Sequence, residues 1–205
     1  MDKKRITDPE DLDRNPGLAR REVELKGGSP FLLRPLDGDD SEMLGDYFEG
    51  LSEKTINLFS PHDFDRETAR KICAEHEPSQ TLVLVAIQKS GDCERIAAYF
   101  RLDWRLRSAE RSRYQEYGFE PEPDRCCTLA PSVAEGMRGR GLGSAMFRLL
   151  ADIARQTGRR YMVLAGGVRS INKRARRYYR KHGFQKVGEF QSPGAHNIDM
   201  YRVNE

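Results

Sequence analysis

The sequence predicts a mixed α/β sheet with helices on both faces, and three observations carry that prediction. A β-rich run from Thr81 to Gln88 and an alternating one from Arg95 to Asp103 flank Ser90-Gly91-Asp92, reading as two strands of a meander. Past Cys126 the order becomes strand, helix, strand, helix, strand, strand, which lays helices across both faces of a sheet. Between them Arg138-Gly139-Arg140-Gly141-Leu142-Gly143 runs straight into a long apolar-periodic segment, so a loop opens directly into a helix. A chain of 205 residues suits one domain, expected over 21–205, and can bury a real core.

Taken in order, residues 1–20 are polar and rich in Asp and Arg, and read as a loosely held, flexible arm. Val23 to Leu25 and Phe31 to Leu36 are short apolar stretches around Gly27-Gly28, which predicts a hairpin. Asp39 or Asp40 caps a helix whose inward stripe is Met43, Leu44, Tyr47, Phe48 and Leu51. Ser52 caps a second, short helix through Phe59, and Asp65 a third to about Glu75. After the meander, Trp104 to Arg125 reads as an irregular insert rich in arginine and aromatic residues. Cys126 to Val133 is a strand. Met146, Leu149, Leu150 and Ile153 define the helix after Gly143, which Gly158 ends. Tyr161 to Leu164 is a strand and Ile171 to His182 a helix, with Ile171, Ala175, Tyr178 and His182 facing inward. Val187 to Phe190 and Ile198 to Val203 close the sheet.

The glycine junction has a physical bias toward anions. A helix start carries unpartnered N–H groups and about half a positive charge. Glycines remove the Cβ atoms that would hold a phosphate away and allow φ > 0 where the loop curls. Arg138 and Arg140 add charge that does not titrate away. A dinucleotide fingerprint fits poorly, because Ser144 stands where its last glycine belongs. A P-loop fits no better, because Leu142 follows Gly141 where Lys is needed.

Arg138-x-x-Gly141-x-Gly143 resembles the acyl-CoA pyrophosphate loop of the GCN5-related N-acetyltransferase (GNAT) family, and the lead-in Val133-x-Glu135-x-x-Arg138-Gly139 is similar to the family's V-x-P-x-x-R-G with Glu135 in place of proline. Asn172-x-x-Ala175-x-x-x-Tyr179-x-x-x-Gly183-Phe184 matches a second family pattern without a gap. The resemblance spans about 31–203 and is most specific over 126–184. It implies a mixed, mostly antiparallel sheet with one splayed strand pair, and acetyl-CoA as co-substrate. It also implies cofactor contacts from Ser132, Val133, Ala134, Arg138, Gly139, Arg140, Gly141, Leu142, Gly143, Ser144, Asn172 and Arg176, and a protonating role for Tyr179 toward the departing thiolate. The activity implied is direct transfer of an acyl group, most simply acetyl, to a primary amine of a small molecule or protein. The alternative is a non-catalytic acyl-CoA sensor on the same fold.

Composition narrows the partners. Net charge is only +3 with 33% charged residues, which disfavours a dedicated nucleic-acid binder, although the cations from Arg169 to Lys181 cluster without an acid among them. No apolar run approaches a membrane span, the N-terminus lacks the apolar core of a signal peptide, and a cytoplasmic protein is expected. Cysteines 73, 93, 126 and 127 read as reduced thiols, and histidines 62, 76, 182 and 196 lack metal-ligand spacing, so no metal is implied. A homodimer is left open. For the acceptor, the insert offers Trp104, Tyr114, Tyr117 and Phe119 as apolar walls and Arg113 for an acidic group. The strand 126–133 carries no carboxylate, so Asp103, Glu116, Glu120, Asp124 or a water chain are the candidate bases.

Overall fold

The computed structural model describes residues 5–204 apart from 26, 27, 29, 59, 60, 92 and 121. The order is α1 (Glu10–Arg14), β1 (Arg21–Glu24), β2 (Pro30–Pro35), α2 (Ser41–Glu49), α3 (Glu53–Ile56), α4 (Arg66–Ala74), β3 (Thr81–Ser90) and β4 (Cys93–Asp103). Then follow α5 (Ser108–Glu116), β5 (Cys126–Val133), α6 (Leu142–Gln156), β6 (Tyr161–Leu164), β7 (Val168–Arg169), α7 (Lys173–Lys181), β8 (Gln185–Ser192) and β9 (Ala195–Val203). The nine strands form one mixed sheet in the order β1-β2-β3-β4-β5-β6-β9-β7, with β8 also on β9. All these pairs are antiparallel except β5 with β6. The parallel pair is joined through α6, as a strand–helix–strand crossover requires.

Each face of the sheet has its own core. On one, α6 and α7 bury Met146, Phe147, Leu150 and Tyr179 against Leu84, Leu129, Met162 and Met200. On the other, α2 and α4 bury Leu44, Phe48 and Cys73 against Val83, Val85 and Tyr99. Residues 5–19, read from composition as a loose arm, place Ile6, Leu12 and Ala19 in the first core. Three apolar side chains spaced along a polar stretch are enough to hold it there.

Local signals explain most boundaries. Ser52 and Asp65 cap α3 and α4 by accepting from Thr55 N and Thr68 N. Asp40 is the N-cap residue of α2 but makes no side-chain cap bond to it; its carboxylate accepts from Asp37 N at 2.8 Å and takes a bidentate pair from Arg34, at 2.6 and 2.7 Å. Gly158, at φ 76°, ends α6, where Arg159 N donates to Ala154 O. The expected ends at Gly27, Phe59 and Asp92 lie outside the described residues.

Two expectations are corrected, and one element went unread. Ile171 does not face inward: it precedes α7 and is 78% exposed, because Asn172 starts the helix by accepting from Ala175 N. The insert is not irregular throughout, since α5 runs through it. Its sequence has almost no apolar periodicity, so nothing in the pattern announced a helix. The two-residue β7 also went unseen, being set by its pairing to β9 and by burial of Val168. Cys73, Cys126 and Cys127 are buried free thiols and Cys93 is exposed. Among the described residues no helix is long and apolar enough to cross a membrane.

Candidate active site

The site begins where the parallel ladder stops. Pairing of β5 with β6 ends at Leu129 and Leu164, with Ala165 N donating to Leu129 O as the last rung. β5 continues through Ala130, Pro131, Ser132 and Val133 with no strand partner on that side among the described residues, while its other edge stays paired to β4 as far as Val133 and Ala98. Backbone groups alternate sides along a strand, and Ala134 N donates to Ala97 O on the β4 side. The N–H of Val133 and the carbonyl of Pro131 therefore face the gap. Pro131 has no N–H, so it stands where the ladder asks for none; this proline was the readable signal for the splay point.

Beyond β5 the chain turns through a 3-10 turn at Glu135–Met137 and reaches the glycines. Gly139 and Gly141 have φ of 80° and 94°, and a Cβ at either would meet no atom within 4 Å. The loop is thus an open cradle, and glycine is needed there for backbone conformation as well as space. Gly141 is the N-cap of α6, so the first N–H groups of Leu142 and Gly143 have no preceding turn to accept them. Leu142 is fully buried and anchors the helix start, whereas Arg140 is exposed beside the cradle.

Arg138 is positioned differently from a free phosphate ligand. Its Nε donates to Val133 O at 3.0 Å, its Nη2 to Thr55 Oγ1 at 2.7 Å, and Nη1 lies 3.6 Å from Glu135. Glu135 in turn accepts from the hydroxyls of Ser52 and Thr55, which hold its carboxyl below the usual range. The residue that replaces proline in the family pattern thus ties α3 to the loop. Arg174 stands close enough to Arg138 to feel its charge, so the cradle's surroundings stay positive.

α7 closes the other flank. Tyr178 Oη donates to Gly143 O at 2.8 Å, and Ser144 Oγ pairs with His182 Nε2 at 3.0 Å, stitching α7 to the first turn of α6. Tyr179 is buried, edge-on to Tyr178 and Phe184, and burial pushes its hydroxyl well above the ordinary tyrosine value. It therefore holds its proton at neutral pH. Asn172 spends its side-chain oxygen on the helix cap, and Arg176 donates to Ser170 O at 2.9 Å. Ser132 sits on the opposite face, accepting from Tyr47 Oη at 2.7 Å.

The five insert residues expected to recognise an acceptor are occupied within the protein. Trp104 is buried and donates to Pro78 O; Tyr114 is fully buried and donates to Met200 O. Arg113 forms a two-point pair with Asp199, at 2.8 and 3.1 Å, and lies 4.0 Å over the Phe190 ring. Tyr117 donates to Glu189 O, and Phe119 packs on Tyr201 with centroids 4.4 Å apart. Of the expected bases, Asp103 is held by Arg101 and Thr81, while Glu116, Glu120 and Asp124 are exposed.

A family model described as Acetyltransferase (GNAT) family matches residues 46–184. The chain belongs to this family. Its fold agrees with solved GNAT structures. The GNAT domain of S. lividans PAT superposes with a TM-score of 0.72 at 21% identity, over 92% of this chain and 98% of that one. The ribosomal-protein-S5-alanine acetyltransferase of Vibrio fischeri gives 0.68 at 14%, over 90% and 97%. yncA of Salmonella typhimurium, solved with its cofactor acetyl-CoA, gives 0.61 at 17%, over 85% and 94%. Comparison with curated proteins finds no match. As a GNAT chain this protein is an acyl-CoA-dependent acetyltransferase by family, and the open glycine cradle beside an unpaired strand edge fits a ligand with a pyrophosphate and an amide-bearing arm.

Proposed function

We propose that the protein transfers acetyl directly from acetyl-CoA to a primary amine, with no covalent enzyme intermediate. The observation that carries this reading is the unpaired edge of β5 from Ala130 to Val133 running without interruption into the cradle at Gly139–Ser144. A strand edge with free backbone groups binds an extended amide arm as an added strand would. The cradle's N–H groups and exposed Arg140 meet the phosphates, and Arg174, close enough to Arg138 to feel its charge, adds a further cation on the α7 side. Arg138 serves by bracing the loop against Thr55 and Val133. Asn172 and Arg176 shape the α7 side. Tyr179, protonated by virtue of its burial, donates to the sulfur as charge builds there in the transition state. Trp104, Arg113, Tyr114, Tyr117 and Phe119 support the acceptor side by packing.

Calorimetry with acetyl-CoA is the first test, and absence of heat at millimolar cofactor would sink the reading. Release of CoA thiol with lysine, spermidine and an alanine-initiated peptide then separates an enzyme from a protein that only senses acyl-CoA. Binding without thiol release on any amine would favour the sensor.

A further inference from the structure

The reaction needs a proton acceptor, because alkylamines arrive protonated at neutral pH. We propose that Glu110, on the insert helix α5, is the base that takes this proton; the proposal rests on the N-acetyltransferase reading above.

The position of Glu110 is set by the splay itself. Its Oε1 accepts from Gly166 N at 2.9 Å, one residue past Ala165, whose N–H makes the last rung between β6 and β5. The carboxylate therefore lies at the point where the gap opens. Gly166 is exposed and a Cβ there would meet nothing within 4 Å, so the turn that donates to Glu110 is open to an approaching amine. At Gly167 a Cβ would lie 2.9 Å from Ile198 O and be crowded by Phe190 and Asp199, so the approach is on the Gly166 side.

Its face of the sheet is the second argument. α5 packs on Tyr161, Asp199 and Tyr201 through Phe119 and Arg113, whereas Met162, Ile198 and Met200, their neighbours along the strands, point into the core under α6 and α7. Tyr179 belongs to that other core. Glu110 and Tyr179 thus stand on opposite faces of the gap, so an amine attacking from one side expels sulfur toward the other.

The third argument is the state of the carboxylate. Glu110 is 5% exposed, and no cation lies within salt-bridge distance of it among the described residues. Arg113, whose charge it does influence, spends its N–H groups on Asp199 and Ala109 O. Two backbone N–H groups, of Gly166 and Arg107, hold the carboxylate in place and leave lone pairs for a proton. The competing groups are engaged: Asp103 by Arg101, Asp199 by Arg113, and both ring nitrogens of His62 by Asp63 O and Tyr99 Oη.

In the step, one ammonium proton passes to the Glu110 carboxylate. The freed nitrogen pair forms the C–N bond at the thioester carbonyl, and the C–S bond breaks. Sulfur leaves with the bonding pair of the broken C–S bond and takes the Tyr179 proton, the surplus proton on the amide nitrogen restores Tyr179 through solvent, and Glu110 gives its proton up to solvent.

The test compares Glu110→Gln and Glu110→Asp with the wild type on lysine, spermidine and the alanine-initiated peptide, and on hydroxylamine, which is already unprotonated at neutral pH. Glu110→Gln is expected to lower kcat for the alkylamine by about a hundredfold or more, to leave acetyl-CoA affinity within a few-fold, and to retain most hydroxylamine turnover. Glu110→Asp, which keeps the carboxylate, is expected to recover part of the alkylamine rate. Equal loss with both nucleophiles, or alkylamine turnover unchanged in Glu110→Gln, would overturn the proposal while leaving the N-acetyltransferase reading intact. A wild type that releases thiol with none of these nucleophiles would remove that reading, and the base with it.

Discussion

At the scale of the residue, two side chains separate catalysis from support. Tyr179→Phe removes one oxygen from a buried ring and leaves its contacts with Tyr178 and Phe184 in place. Acetyl-CoA affinity is expected to stay within a few-fold while kcat falls by about a hundredfold, because the hydroxyl acts mainly on the transition state. Steady-state rates at saturating acetyl-CoA check this, and an unchanged kcat would falsify the donor role. Arg113→Ala has a different signature. It strands the carboxylate of Asp199, which is fully buried, and losing one partner of such a pair costs about 3–5 kcal/mol. A marked fall in melting temperature with little change in acetyl-CoA affinity is expected. A stable variant with only a raised acceptor KM would instead return Arg113 to substrate recognition.

Among the elements, the junction of β5, the glycine loop and α6 concentrates the function. Gly141 combines a left-handed conformation with the N-cap of α6, so any side chain is strained there, by about 1–3 kcal/mol. Gly141→Val is expected to weaken acetyl-CoA binding at least tenfold by calorimetry, with a smaller fall in melting temperature. Gly136, in open space and with an ordinary φ, supplies the control: Gly136→Ala should bind as the wild type does. Equal affinities for all three proteins would mean that the loop does not carry the phosphates. The insert shows the opposite economy. α5 contributes little apolar surface of its own, and it is held by Tyr114, Arg113 and Phe119 reaching β9 and β6.

For the whole molecule, the clearest prediction concerns acid. His182 is pushed down to about 4 from its ordinary 6.5, first by burial and then by Lys181, Arg202 and Arg148. His62 and His76 are lowered too, again chiefly by burial. The folded protein therefore keeps these rings neutral where the unfolded chain would protonate them. Between about pH 6.5 and 4 the unfolded state binds more protons, so stability rises with pH and is lost as pH falls through that window. Melting temperature measured across it should fall, and His182→Gln should flatten part of the slope. A profile identical to the wild type's would show that His182 is not protected from protonation.

Local chemistry explains what could be read from the chain alone. The longer strands, the capped helices α3 and α4, and the glycine cradle follow from alternation, from Ser52 and Asp65 as caps, and from positive-φ glycines, each a property of a few neighbouring residues. The family patterns around Arg138 and Tyr179 are local in the same sense. Tertiary structure decided whatever depends on partners far along the chain. α5 has no apolar stripe and owes its place to Asp199 and Met200, some 86 positions away. Arg138 turns inward because Thr55 meets it across 83 positions. Glu110 reaches Gly166 over 56. A carboxylate or guanidinium reads the same in sequence whether it faces water, a substrate or a buried partner, and only packing chooses among them.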